Sequence, residues 1–565
     1  MDFNFSRRPS LRCVWFVLSV GLVLSRQMNA QAQTSPDAQA AQRANERAIR
    51  DAQERPLPRV DVFTAPSQPS PEAVPVTPSG KSEPCARVDS LELIGHLPAM
   101  GPLPELPVAP SCLHAAAINR LLATLNAHYQ AAGWITTRVY VDRDTVPTHH
   151  LRLRVVPGRI ERIVLGQSND DARAQAAFPQ REDRLLNLRD LEQGLENINR
   201  LPSQEGKFNL IPGAENGHSQ VQVDLKERAR TRLTQMVDNS GTQAMGKWKS
   251  TTEIAIDNPT QHNDQLAIGL LGNLDGGDLD ARFRGVTLNY LIPDGYHLWS
   301  VAGSAIRTTF ELPGINTSYP MHTRADKLGL GYEYLFSRDQ QSKHSLTAGL
   351  DVTRQHSEIA GIDIPSQERR LTVAHIGYRG KVYLGTQSHE WALRYEQGLT
   401  AFNAQTSITD GSNPQYRLLK LRLTSQWPMP DNQGLIRTLL QAQTGPSDAP
   451  TLAQIYVGGR YDVRGYQQNS LYAATGAFLR SEYETPSAQW VGTRWTAYMG
   501  LDAGRVRSLP NRPLSQQHLV GAAVGLRGEV QNLKFELAHA RALSRPDEFG
   551  TEDWDRWYAQ LSLVF

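Results

Sequence analysis

The sequence predicts an α+β repeat region followed by an all-β antiparallel transmembrane barrel of about 16 strands. Three observations carry this expectation. Residues 85–158 and 159–230 each read as strand, helix, strand, strand, an internal repeat. From Arg232 onward, helical spacing gives way to period-two alternation that recurs about every 20 residues. The chain ends on such a segment, "WYAQLSLVF", with Trp557, Ala559, Leu561, Leu563 and Phe565 on one side.

Taken in order, the first segment reads as an export signal. Arg7, Arg8 and Arg12 precede an apolar run from Val14 to Leu24, and the triplet Ala30-Gln31-Ala32 follows. This is the pattern of a secretory signal (residues 1–32) cleaved after Ala32, and the run is short for a spanning helix. Cys13 leaves with it. Cys85 and Cys112 remain, and an even pair in an exported chain reads as one disulfide. No other ligands cluster there, so neither zinc nor any other metal is expected.

Residues 33–54 predict a polar helix. Ser35 suits the N-cap, Pro36 the first helical position and Asp37 the positive end of the dipole. Its only sizeable apolar side chain is Ile49, so it belongs in water or in a polar cavity rather than in a core. Residues 55–84 contain eight prolines and form an extended, semi-stiff tether.

The repeats follow. "VDSLELIG", "TTRVYV" and "LRLRVVPG" alternate as strands around a helix in "AAINRLLATLNAHYQAAGW". The second repeat presents "RIERIVLG", a helix in "LNLRDLEQGLENINRL", then "GKFNLIPG" and "SQVQVDLKE". The pair His149-His150 lacks a third ligand and reads as a solvated loop.

In the last region, "KLGLGYEYLF" sets Leu328, Leu330, Tyr332, Tyr334 and Phe336 on one face. "LLKLRLTSQW" sets Leu419, Leu421, Leu423 and Trp427 against Lys420, Arg422, Thr424 and Gln426. A soluble sandwich also alternates. A charged polar face, and tight turns such as "IPDG" alternating with long polar loops, favour a membrane barrel. Net charge is +2, from 59 basic and 57 acidic residues, which gives no case for a nucleic-acid partner.

One stretch stands out. "GGRYDVRGYQQNS", residues 458–470, lies in a loop of about 28 residues, a length that is usually functional or disordered. Further on, "RWTAYMGLDAGRV" puts Trp495, Ala497, Met499 and Leu501 on one face and Thr496, Tyr498, Gly500 and Asp502 on the other. Asp502 would then face the lumen and need a partner, for which Arg464 is the natural choice if its loop folds inward. An arginine in a glycine-rich loop otherwise just sits in water.

VRGY in a long loop, followed about forty residues later by G-x-D-x-G, resembles the two-partner secretion transporters, the TpsB (ShlB/FhaC/HecB-like) family, in the same superfamily as the BamA barrel-assembly proteins. The resemblance covers essentially the whole mature chain. It implies a plug helix (33–54), a linker (55–84), POTRA domains at 85–158 and 159–230, and an outer-membrane barrel at 231–565. "LNLRDLEQGLENINRLPS" looks like the family's second POTRA domain, and "VDNSGTQAMGKWKS" looks like its opening barrel strand. Val463, Arg464, Gly465 and Tyr466 would reach into the barrel, with Arg464 paired to Asp502 in the Gly500-Asp502-Gly504 strand. In a wet lumen this pair would be worth less than the ~3–5 kcal/mol of a buried one. The strand ending at Phe565 would be the signal for the barrel-assembly machinery, and outer-membrane lipids would surround the barrel.

The implied function is export of one large, unfolded exoprotein (a TpsA partner) from the periplasm, with no cofactor. The sequence holds no Walker motif, so folding of the exported chain outside would supply the bias. Three other classes compete. A BamA-like assembly factor would usually carry more POTRA repeats and no plug. A passive porin would not need the repeats. An enzyme would need a nucleophile or metal constellation, and neither G-x-S-x-G nor H-E-x-x-H occurs. The aspartates of "LDGGDLDAR" could hold calcium but suit a solvated turn better.

Overall fold

The computed structural model describes residues 86–565 except 107–110, 143–148, 167–170, 180–183, 315–316, 467–468, 508–513 and 550–554. The expected signal, polar helix and linker, and Cys85, lie outside the described residues. Cys112 is disulfide-bonded.

The two repeats share one topology. In the first, Ser90–Ile94 runs parallel to a central His150–Val156, with Arg138–Val141 antiparallel on the other side. Leu151, Leu153 and Val155 are buried while Arg152 and Arg154 are exposed, so the central strand is amphipathic. Helix α1, Ala115–Ala131, covers the apolar face through buried Leu125 and Tyr129, with Ile118, Leu121 and Leu122 packed alongside. In the second, Arg159–Leu165 runs parallel to a central His218–Glu227, and Gln204–Pro212 is the antiparallel neighbour. The outer strands are Ser90–Ile94 and Arg138–Val141 in the first sheet and Arg159–Leu165 and Gln204–Pro212 in the second, with one isolated bridge from Arg159 to Leu185.

The second repeat carries two helices where one is expected. Asp171–Ala177 (α2) is short and lacks an apolar stripe, so periodicity does not reveal it. Leu188–Asn199 (α3) begins at Asn187, whose side chain accepts the Arg189 N–H at 2.8 Å. Of the paired histidines, His150 opens a strand, with Ser90 bonded to its Nδ1, and is not in a loop as expected; His149 bonds the Arg87 carbonyl at 3.0 Å.

The second repeat is docked on the barrel through α3. Strands Ser318–Arg338 and Ser342–Ile359 are joined by a tight turn, in which Asp339 accepts the Gln341 and Ser342 N–H groups at 2.7 Å. That turn aims Arg338 and Lys343 at α3. Arg338 reaches Glu196 at 2.8 Å, Gln193 at 3.0 Å and fully buried Glu192 at 3.4 Å, and Lys343 also pairs with Glu196. Arg338→Ala is expected to weaken this junction by about 2–3 kcal/mol. Amide exchange across α3 should accelerate while barrel-strand amides stay protected.

The remaining chain forms a closed antiparallel barrel of sixteen long strands, from Thr231–Asp238 to Asp555–Val564, with two short supplementary strands. The first and last strands close it over five register pairs, Asp238↔Gln560 to Thr234↔Val564, extended by reciprocal backbone bonds between Leu233 and Phe565. Segment 237–250 is not the opening strand. It spans the end of the first strand, a connection and the start of Lys249–Asp257, because Gly246 at φ 95° and the Gly241 N–H bond to Lys247 turn the chain there.

Leu328, Leu330, Tyr334 and Phe336 are exposed, as are Leu346, Ile376, Leu393, Leu419, Leu501 and Val524 on other strands. These form an apolar band on the outward face of the barrel, the arrangement expected of a wall turned to lipid. Lys327, Asp351, Lys420 and Arg422 point the other way, lining a lumenal cavity of about 970 Å³. In "LDGGDLDAR", Asp275 accepts the backbone N–H groups of Lys247 and Trp248, so it caps a turn.

Candidate functional site

Because Thr231–Asp238 follows directly on the second repeat, alternate strand ends lie on the repeats' side. Several connections there are tight, such as 295–296, 385–386 and 531–532, whereas the far side carries the longest ones, such as 400–416 and 445–475. Loop 445–475, between Leu435–Thr444 and Gly476–Glu484, starts on the far side and folds into the barrel. Inside it, Ile455–Val457 pairs antiparallel with Leu471–Ala473. Ile455, Val457, Val463, Tyr466 and Leu471 pack against Phe478, Val506, Leu519 and Ala542 of the wall. An apolar seat thus draws the loop inward.

That seat carries Arg464 to Asp502. The guanidinium donates from Nε to Oδ2 at 2.6 Å and from Nη2 to Oδ1 at 2.7 Å, a two-bond fork, while its backbone N–H reaches Oδ2 at 3.1 Å. Nη1 donates to Glu482 at 2.5 Å. Arg464 is 1% exposed and Asp502 0%. The pair is therefore dry, contrary to the wet lumen expected from sequence, because the loop's apolar packing seals it. Its disruption moves into the range of about 3–5 kcal/mol for a buried pair losing one member.

The neighbouring residues of the motif each hold the loop. Val463 is fully buried. Tyr466 donates its hydroxyl to the Val520 carbonyl at 2.8 Å and also meets the Ser544 carbonyl. Gly465 has φ 99°, and a Cβ there would lie 2.5 Å from the Ala542 nitrogen, so both conformation and space require glycine. Gly500 and Gly504 clear the wall: added Cβ atoms would lie 2.0 Å from Arg464 Nη2 and 2.5 Å from Val457 Cγ1.

Several participants are not legible in the motif. Glu482 also accepts from Arg480 at 2.5 Å and Arg527 at 3.0 Å. Arg527 lies 4.1 Å over the Tyr498 ring, whose hydroxyl donates to Glu536 at 2.7 Å. Arg460 bonds Glu536 at 2.9 Å and the Ala559 carbonyl at 3.0 Å. Gly521 makes room for the loop backbone, since a Cβ there would sit 1.9 Å from the Arg464 carbonyl oxygen. Alternation alone could have flagged Glu482, which shares a face with Glu484 and Arg480 in "FLRSEYE".

The arrangement is a desolvated ionic clamp holding an infolded loop beside a polar lumen. Its carboxylates are occupied by guanidinium groups, and nothing in it presents an activated nucleophile.

Known proteins share this architecture. The model of the family described as haemolysin secretion/activation protein ShlB/FhaC/HecB matches residues 217–528. A ShlB-type POTRA model matches 91–158 and a second POTRA model 159–212. The outer membrane transporter CdiB-2 of Burkholderia pseudomallei (strain 1026b) is 29% identical, over 93% of this chain and 95% of that protein. The hemolysin transporter protein ShlB of Serratia marcescens is 25% identical, over 83% of each. Among solved structures, CdiB from Escherichia coli superposes with a TM-score of 0.80 at 22% identity, over 94% of this chain and 99% of that one.

Proposed function

The chain belongs to the ShlB/FhaC/HecB haemolysin secretion/activation family, and from that premise we propose how it moves its cargo. It is an outer-membrane two-partner secretion transporter with periplasmic POTRA domains. The cargo is one large exoprotein, adhesin- or haemolysin-like, delivered unfolded from the periplasm to the cell surface. The POTRA sheets take the cargo by strand addition along their outer strands. The barrel conducts it, and the Arg464–Asp502 clamp sets the position of the loop that shares the lumen. The strand ending at Phe565 is read by the barrel-assembly machinery, and membrane lipids surround the apolar band.

One observation carries the role of the clamp: a bidentate, fully buried pair between an infolded loop and the wall of a barrel whose lumen also carries Lys327, Asp351, Lys420 and Arg422. Residues 33–54 act as a plug on the proline-rich tether 55–84, which keeps the helix at high local concentration when it leaves. Deleting residues 36–54 should raise single-channel conductance in planar bilayers several-fold. Unchanged conductance would remove the plug from the mechanism. Co-expression with any long, repeat-rich, signal-bearing protein encoded beside this gene tests the function itself: the cargo should be released to the medium, and its retention in the periplasm would count against the reading.

A further inference from the structure

The outer face of the strands between residues 282 and 359 carries a charge pattern that neither the loop nor the POTRA domains use. Asn289, Ser304, Lys327 and Asp351 line the lumen. Alternation therefore turns Arg284, Arg307, Arg324 and Arg354 outward, and all four are exposed. They stand at the border of the lipid-facing band farther from the POTRA domains, just beyond Val286, Ala305, Leu328 and Val352. At the opposite border the outward residues are aromatic, with Tyr332 and Tyr334 against His297 and Trp299.

The register makes the basic side chains direct neighbours. Arg284 lies opposite Arg307, Arg307 opposite Arg324, and Arg324 opposite His356, one row across four strands. Like charges directly opposite, with Cβ atoms about 4.5–5.5 Å apart, destabilise an antiparallel pair. Asp326 relieves part of this, accepting from Arg307 at 3.0 Å and Arg324 at 2.6 Å. It is also the cross-strand neighbour of Arg354. Asp363 pairs with His356 at 3.1 Å, so two carboxylates stand against four guanidinium groups and an imidazole, a net positive row at headgroup height. We propose that this row binds the phosphorylated glycolipid of the outer leaflet, its guanidinium forks taking phosphate oxygens two at a time. The anion removes the repulsion that the register builds in, and it fixes the barrel's height and rotation in the membrane. An aromatic border on the POTRA side and a guanidinium border on the far side match a bilayer with unlike leaflets.

The test uses the full-length protein purified in detergent and a variant carrying Arg284→Gln, Arg307→Gln and Arg324→Gln. Native mass spectrometry and thermal unfolding are followed with lipopolysaccharide, with dephosphorylated lipopolysaccharide and with inorganic phosphate. The wild type should bind lipopolysaccharide and unfold at higher temperature, and the variant should bind about tenfold more weakly or worse. Equal binding by both proteins would overturn the assignment. So would undiminished binding of the dephosphorylated lipid, or equal stabilisation by inorganic phosphate, which would mark an adventitious ion only. If the variant does not assemble, wild-type binding at about 0.1 M and 1 M salt decides the matter, because salt-insensitive binding would exclude a site built on exposed charges.

Discussion

Asp502→Ala is expected to reduce release of the exported partner about tenfold or more while leaving the barrel assembled. The carboxylate accepts three bonds from Arg464, and its removal leaves a buried guanidinium with Glu482 as its remaining acidic contact. A loss of about 3–5 kcal/mol falls on the docked state of the loop. The sixteen-strand hydrogen-bond network does not depend on that state. Heat-modifiable migration of the barrel should persist while loop 445–475 becomes open to protease. Arg464→Ala should do the same, and the double variant should be little worse than either single one, because both break one contact. Arg464→Lys should not rescue, since an ammonium cannot supply the paired Nε and Nη2 donors. Full secretion by Asp502→Ala would separate the clamp from transport.

Gly521→Val should expel the loop altogether. Its Cβ would lie 1.9 Å from the Arg464 carbonyl oxygen, a backbone atom that cannot swing aside. Overpacking of this kind typically costs about 1–3 kcal/mol even where neighbours can adjust. Here the simplest relief is for the loop to leave. The expected phenotype is loss of secretion together with raised conductance, because the lumen gains the vacated volume. Gly303→Ala is the control: its nearest neighbour would be 4.0 Å away. A conductance equal to wild type in Gly521→Val would show that the wall, and not the loop, gives way.

The barrel was legible because a strand with one face in lipid and one in water must alternate, and "KLGLGYEYLF" does so without interruption. The common element order of the two POTRA domains was legible as a repeat, whereas the parallel pairing inside each, between strands distant in sequence, was not. Helix α2 was not legible, since alanine, arginine and glutamine at 171–177 trace no apolar stripe. At 237–250 the expected strand is interrupted by the turn made by Gly241 and Gly246. Arg464 and Asp502 could be paired because a lumen-facing carboxylate needs a cation. Alternation places Glu482 on the same inward face but does not name its partner, and Arg460 and Gly521 carry no such signal. Their contacts exist only after the barrel has closed and the loop has packed, and no local pattern encodes that. Dryness escaped for the same reason: it arises from Val463, Tyr466 and the apolar wall together.

The anchors of the infolded loop reach farther round the wall than a stopper requires. Arg464 holds Gly476–Glu484 and Thr493–Val506, Tyr466 holds His518–Val530 and Leu533–Ser544, and Arg460 touches Asp555–Val564. Five consecutive staves, ending beside the seam with the first strand, are braced from within by one segment. Withdrawing that segment would open the bore and unstiffen nearly a third of the circumference in the same movement. Channel calibre and wall compliance would then be one mechanical variable, and a wide cargo would meet a softer cylinder.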